Sequence, residues 1–215
     1  MSGGRMWELV IKGGPLMFLI ILCSVIAVAV LIERLWYLHN ARINTADFME
    51  DISETLRRNK VLDAIDKCNA MPGPIARILK AGILKHDRSR VEIKEAIEDA
   101  GLHEVPRLES NLGVLATIAH ISPLLGLLGT VTGMVRSFQV IEQKATALMP
   151  VNPGDLAGGI WEALITTVAG LAVAIPTYVA YNFLVSKVDG FVLEMEKSAT
   201  DLVNILGAKR EEDEV

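Results

Sequence analysis

Three long apolar runs, separated by one long polar stretch, set the pattern of this chain of 215 residues. The third run stays free of charged side chains from Ala163 to Val185, a length of 23 residues. A helix of that length crosses a bilayer core of about 30 Å, since each residue adds roughly 1.5 Å. Two other apolar runs, 15–32 and 112–135, predict two further membrane-spanning helices.

The polar stretch 33–111 is of a different kind, with 13 Lys and Arg and 14 Asp and Glu. Met71-Pro72-Gly73-Pro74 predicts a break, and the spacing of Ser89 and Glu92 predicts a capping box that opens a long helix. Pro106 is expected to bend that helix or mark a joint. The pattern predicts short helices at about 46–59, 62–70 and 74–84, followed by the long one from Arg90.

Beyond the third run the pattern becomes amphipathic. The apolar positions recur at helical spacing and predict a helix that continues out of the membrane. They are Val188, Phe191, Val192, Met195, Leu202, Ile205 and Leu206. The final residues, KREEDEV, are charged and are expected to be disordered.

The second and third runs each hold a stripe of small side chains, which lets helices approach closely. In the third run the stripe lies within about 80° of Thr166. Its members are Gly159, Glu162, Ala163, Ala169, Gly170, Val173, Ala174 and Thr177. In the second run it lies within about 60° of Thr130, with Ala116, Ala119, Pro123, Gly126, Gly133 and Ser137. Two interpretations stay open: helix packing alone, or a polar pathway with Glu162 at its entrance.

Composition and charge narrow the class of protein. The chain is 51% hydrophobic and only 22% charged, which is too apolar for an ordinary soluble domain. A net charge of −5 does not favour nucleic-acid binding. The two cysteines and four histidines show no metal-ligand spacing, and we expect neither a metal nor a cofactor. No nucleophile–base pair is evident, so an enzyme is not expected.

Lys and Arg counts predict the topology. Segments 1–14, 33–111, 136–159 and 186–215 hold 2, 13, 2 and 4 of them. The positive-inside rule places the second and fourth segments in the cytoplasm and the other two outside. The predicted order is therefore a periplasmic segment (1–14), helix one (15–32), a cytoplasmic helical domain (33–111), helix two (112–135), a periplasmic loop (136–159), helix three (160–185), and a cytoplasmic helix with an acidic tail (186–215).

Two sequence motifs resemble those of the ExbB/TolQ proton-channel subunits, which are related more distantly to the MotA flagellar stator subunit. They are LATIAHISPLLGLLGTVTGMVRSF (115–138) and NPGDLAGGIWEALITTVAGLAVAIPTYVAYN (152–182). Ile32-Glu33-Arg34 at the end of the first helix also fits, and the resemblance covers nearly the whole chain. The four-helix MotA pattern is absent, which argues against a flagellar stator.

The resemblance implies an all-α membrane protein with three transmembrane helices, two of them extended into the cytoplasm. It implies a homopentamer in the bacterial inner membrane, with an ExbD- or TolR-like single-span partner in its central channel. Such a ring would use proton motive force to drive a TonB-like protein for active transport across the outer membrane. A TolQ-like subunit of the Tol-Pal envelope system is the alternative. A membrane-anchored scaffold without a proton path, or a solute-transporter subunit, would belong to a different class.

The resemblance also suggests which residues line the channel, namely Thr130, Glu162 and Thr167. Simple helix geometry favours Thr166 instead of Thr167, because Thr166 lies only about 40° from Glu162. His120 stands where these proteins often carry a small or apolar residue. Both a hydrogen-bonded packing role and a functional role for this histidine stay open.

Overall fold

The computed structural model describes residues 13–150 and 152–213, and their regular secondary structure is α-helical throughout. The predicted N-terminal segment 1–14 lies mostly outside the described residues. The helices are α1 (Gly14–Ala41), α2 (Thr45–Arg57), α3 (Val61–Ala70), α4 (Pro74–Ile83), α5 (Arg90–Glu109), α6 (Leu112–Thr146) and α7 (Pro153–Asp213). The predicted all-helical fold and the three apolar helices α1, α6 and α7 are confirmed.

Three helical stretches are long and apolar enough to cross a membrane, namely Gly14–Arg57, Arg90–Thr146 and Leu156–Ala208. Their most apolar windows of 18 residues have mean hydropathies of 3.0, 1.8 and 1.8. Only 17% of the first window is buried within the chain. Large apolar side chains such as Phe18, Leu22 and Val25 are therefore exposed, as expected of a helix that faces lipid.

The long helices extend further than the sequence pattern predicts. α6 continues to Thr146 and α7 begins at Pro153, so little of the predicted loop 136–159 is non-helical. The predicted disordered tail is wrong as far as Asp213, where α7 ends. Adding a residue to an existing helix needs no new nucleus, and Lys and Glu are good helix formers. Charged residues past an apolar run therefore did not mark a helix end.

The chain divides into two compact units. Of the described residues, the first comprises 13–32, 111–150 and 152–183, and the second comprises 33–110 and 184–213. The first contains the apolar parts of α1, α6 and α7, and the second contains α2 to α5 with the ends of α1 and α7.

Breaks and caps in the second unit follow the sequence. Gly73 has φ +108°, and a Cβ atom there would lie 2.7 Å from the carbonyl oxygen of Ala41, so only glycine fits.

The capping box predicted at the start of α5 is present. The Ser89 hydroxyl accepts from the Glu92 amide at 3.3 Å, and the Ser89 amide donates to the Glu92 carboxylate at 3.0 Å. The bond from the Ser89 amide, and a second from the Ser89 hydroxyl to the same carboxylate at 2.8 Å, hold the pKa of the Glu92 carboxyl group below its usual value. The predicted capping box is confirmed.

The joint expected at Pro106 lies slightly further along the chain. α5 passes through Pro106 and ends at Glu109. Asn111 then adopts the left-handed conformation with φ 61°, which asparagine tolerates better than most residues. The regular α-helical hydrogen bonding is interrupted at Asn111 because an α-helix cannot pass through that conformation.

The core of the second unit includes the amphipathic part of α7. Val188, Met195 and Leu202 are buried, which confirms the predicted repeat. The packing is tight at Gly82 of α4, where a Cβ atom would meet Ile97 at 2.8 Å and Leu202 at 2.9 Å. α4 thus packs directly against α5 and α7.

Among the residues of this unit whose burial is described, the one buried cation is Arg34. Arg34 is only 5% exposed and forms an ion pair with Glu33. Its guanidinium also donates to the carbonyl of Arg107 at 3.2 Å, in the last turn of α5. Helix C-terminal carbonyls lack intrahelical partners, so Arg34 satisfies one of them and offsets the helix dipole.

Candidate functional site

α6 and α7 pack against each other through their small residues. We call this contact the glycine seam; its members are Gly126, Gly129 and Gly133 of α6 with Gly159, Ala163, Thr166 and Gly170 of α7. A Cβ atom on Gly133 would lie 2.6 Å from the carbonyl oxygen of Gly159. One on Gly170 would lie 2.5 Å from the carbonyl oxygen of Ser122. Both stripes found in the sequence are thus used for close contact between helices of one chain.

Thr166 belongs to the seam itself. Its side chain is fully buried, and its Cβ would be 2.6 Å from a Cβ placed on Gly129. Its hydroxyl donates only to carbonyls of its own helix, those of Glu162 and Ala163, each at 3.0 Å. The Thr166 side chain is therefore inaccessible from outside the helix pair, because Gly129 of α6 lies directly against it.

Thr167 lies at the margin of the seam and is half-buried. Its hydroxyl donates across the helix pair to the carbonyl of Gly126 at 3.0 Å, or to the carbonyl of Ala163 at 3.3 Å. Thr130 on α6 is also half-buried, and its hydroxyl donates to the carbonyl of Leu127 at 2.6 Å. Each hydroxyl oxygen keeps its ability to accept a further hydrogen bond.

Glu162 forms an ion pair with Arg136 of α6. The Glu162 side chain is 15% exposed and that of Arg136 is 50% exposed. Gly14, the first residue of α1, has φ +65°, and a Cβ there would collide with the Glu162 carboxylate. Sequence reasoning missed Arg136, although it is the first charged residue after the second apolar run. Antiparallel pairing of α6 with α7 brings it to the level of Glu162.

The seam also defines on which side of the helix pair each polar residue lies. Angles counted at about 100° per residue from the seam place Thr130 and Thr167 on one side. The same count places Arg136 and Glu162 on the opposite side. By this count the two threonines suggested by the resemblance share one side of the helix pair, and Glu162 lies on the other.

His120 is exposed on α6. Its Nδ1 lies 2.6 Å from the carbonyl oxygen of Ala116, one turn earlier. The ring of Tyr178 on α7 meets it edge to face, with centroids 6.4 Å apart and planes at 89°. The aromatic partner was missed in the sequence, since residues 58 positions apart give no local signal.

The polar groups of this helix pair are hydrogen-bonding side chains and one ion pair. Hydroxyls, an imidazole and an ion pair line an otherwise apolar helix pair. Within residues 13–150 and 152–213, no group of three His, Cys, Asp or Glu residues is placed to hold a metal ion.

Comparison with known proteins supports a transport role. The model of the MotA/TolQ/ExbB proton channel family matches residues 70–197. A biopolymer transport protein ExbB of Neisseria meningitidis is 29% identical over 206 residues, covering 89% of this chain and 90% of that protein. An ExbB-like protein of Synechocystis is 35% identical over 160 residues, covering 74% and 75%. An ExbB homolog of Methanothermobacter thermautotrophicus is 28% identical over 194 residues, covering 90% and 67%. The chain is a membrane protein and belongs to the MotA/TolQ/ExbB proton channel family.

Proposed function

We propose that this chain is the ring-forming subunit of a proton-driven motor in the bacterial inner membrane. With an ExbD-like single-span partner it converts proton motive force into work on a TonB-like protein that serves active transport across the outer membrane. Family membership and relatives named for biopolymer transport support this proposal. A TolQ-like role in envelope maintenance uses the same mechanism with a different partner set.

One observation carries the proposal. Thr130 and Thr167 are half-buried, and their hydroxyl oxygens are able to accept hydrogen bonds. A count of about 100° per residue puts both on one side of the helix pair. A hydroxyl that both donates and accepts can contact a carboxylic acid or a carboxylate. This suits a channel wall against which a partner carboxyl group changes its protonation state. Because Thr166 is buried in the seam, Thr167 is the residue we assign to that wall.

Glu162 has a different role in this proposal. Its charge is balanced by Arg136, and it lies on the opposite side of the pair from the threonines. We assign it to the mouth of the path, where it fixes the ends of α6 and α7 and affects the local concentration of protons. It is not the obligatory proton carrier.

Assembly and orientation complete the proposal. The ring is a homopentamer surrounded by lipid, with the N-terminus and residues 136–159 in the periplasm and residues 33–111 and the C-terminus in the cytoplasm. Orientation is supported by the 13 Lys and Arg of the long middle segment. Labelling of an Asp87→Cys variant, with the natural cysteines removed, by an impermeant reagent in intact spheroplasts would contradict this orientation. A scaffold without a proton path is the competing class.

A measurement of proton flux distinguishes a proton-channel subunit from a scaffold without a proton path. The complex would be purified from native membranes with its single-span partner and reconstituted into liposomes. Thr130→Val and Thr167→Val keep the side-chain shape but remove the hydroxyl, so flux should fall several-fold while ring and partner stay assembled. Thr132→Val is the matched control. Thr132 donates to carbonyls of its own helix at 3.0 and 3.1 Å and lies two positions from Thr130, on the other side of α6.

Native mass spectrometry of the same preparations would count subunits and retained partner. Loss of flux in both threonine variants, with normal assembly and normal flux in Thr132→Val, supports the proton-channel function. Full flux in both threonine variants would leave only a packing role for these residues. A stable monomer with no bound partner and no flux would favour the scaffold.

A further inference from the structure

His120 is a titratable side chain in an otherwise uncharged section of membrane-spanning helix. Residues 112–135 of α6 contain no other titratable group. Residues 163–183 of α7 contribute Tyr178 and Tyr181, and residues 15–32 of α1 contribute Cys23. The charged side chains that follow these spans are Arg136 on α6, 16 residues from His120, Lys187 on α7, nine residues beyond Tyr178, and Glu33 on α1. The spans 15–32, 112–135 and 163–183 themselves contain no Asp, Glu, Lys or Arg.

The hydrogen bond to Ala116 fixes the tautomer of the ring. A carbonyl oxygen can only accept, so Nδ1 must carry the hydrogen that bridges the 2.6 Å to Ala116. Neutral His120 therefore has its lone pair on Nε2. The protonated ring also donates from Nδ1, so the bond to Ala116 survives in both charge states. His120 can gain and lose a proton at Nε2 without changing its rotamer.

Tyr178 restricts the ring from the other helix. Its edge-to-face contact at 6.4 Å orients the imidazole, and Tyr178 is itself 51% exposed. Tyr178 lies eleven residues from Thr167, which places both within about 20° on α7. His120 lies ten residues, or about 15 Å along the helix, from Thr130. Counted from the glycine seam, His120 and Tyr178 fall on the same side of the helix pair as the two threonines.

We propose that His120 exchanges protons at the end of the path opposite Glu162. Nε2 takes a proton from a hydronium ion in the path and leaves a water molecule. It then returns the proton to a second water molecule, so the imidazole ends as it began. Tyr178 is a positioning residue that holds the ring. This inference rests on the proposed function, because it extends the path that begins at Thr130 and Thr167.

Proton flux as a function of pH tests the inference in the complex purified from native membranes. His120→Asn keeps an amide that can donate to Ala116 but removes the titrating nitrogen. Flux should fall at least about tenfold, and the dependence of flux on pH that imidazole protonation produces should disappear. Thr132→Val, which removes a hydroxyl on the other side of α6, is the control, with flux within about twofold of the unaltered protein. A purely structural histidine would affect assembly and leave the pH profile unchanged.

Nitrogen-15 NMR of histidine-labelled protein in lipid nanodiscs supplies a readout that does not depend on flux. The resonance that vanishes in His120→Asn is that of His120, and Nε2 should titrate while Nδ1 stays protonated. An Nε2 that never titrates, or unchanged flux in His120→Asn, overturns the histidine proposal. If flux is still lost in Thr130→Val and Thr167→Val, the proposed function survives that result. Absence of flux in the unaltered complex overturns both.

Discussion

Replacing Gly170 by alanine tests whether the glycine seam holds α6 and α7 together. The three atoms nearest to a Cβ at this position all belong to backbone: the Ser122 carbonyl oxygen at 2.5 Å, Gly126 Cα at 3.2 Å and Gly126 N at 3.3 Å. No rotation of a side chain can relieve these contacts. The added methyl group must therefore push the two helices apart.

The cost follows from these distances. To lengthen the 2.5 Å contact with the Ser122 carbonyl oxygen to an ordinary van der Waals distance, α6 and α7 must separate by about 0.9 Å. Elsewhere along the seam, a gap of that size loses roughly a quarter to a half of the dispersion energy of each contact. Overpacking of this kind typically costs about 1–3 kcal/mol. The better helix propensity of alanine offsets up to about 1 kcal/mol of this loss of stability. We therefore expect a net loss of about 1–2 kcal/mol and a melting temperature lower by roughly 2–8 °C.

Thermal unfolding in detergent, followed by circular dichroism, measures this loss. Gly158→Ala is the matched control, because Gly158 lies on the same helix and a Cβ there would have no other part of the described chain within 4 Å. That variant should be as stable as the unaltered protein or slightly more stable. If Gly170→Ala were as stable as Gly158→Ala, the close approach of α6 and α7 through the seam would be wrong.

Three other substitutions or treatments give distinct outcomes. Thr166→Val should change stability by less than about 1 kcal/mol and leave proton flux normal, because the lost hydroxyl bonds only to its own helix. Glu162→Arg and Arg136→Glu should each lower the melting temperature, and the double variant, which restores the pair with reversed charges, should recover part of the loss. If the two stability losses simply added in the double variant, the ion pair would contribute nothing. Burial raises the pKa of the Cys68 thiol to about 11. Stability should therefore fall as pH rises from about 8.5 towards 11, since the unfolded thiol ionises first, and Cys68→Ala should lessen that fall.

The sequence was sufficient for the helices because their signals are local. The break at Gly73 and the cap at Ser89 depend on neighbouring residues alone, and both are present. Helix ends were less predictable. α7 extends through the charged tail to Asp213, where no glycine or proline stops it, and continuing a helix needs no new nucleus.

The polar site was only partly predictable, because helical angles are counted from an arbitrary origin. The choice between Thr166 and Thr167 depended on which face of α7 meets α6. That face became defined only when Gly129 was found against Thr166. Arg136 and Tyr178 were missed for the same reason, since both contacts depend on the antiparallel register of two helices.

The tightness of the seam limits which motion can do work. Gly126 and Gly170 leave no room for one more carbon atom, and Thr167 adds a hydrogen bond across the same contact. Sliding or rotating α6 against α7 would break these contacts together. We infer that the two helices move as one body, so that in the proposed motor any rotation occurs between this pair and the partner helix. Thr130 donates to a carbonyl of its own helix, so its hydroxyl can change hydrogen-bond partners without repacking the seam.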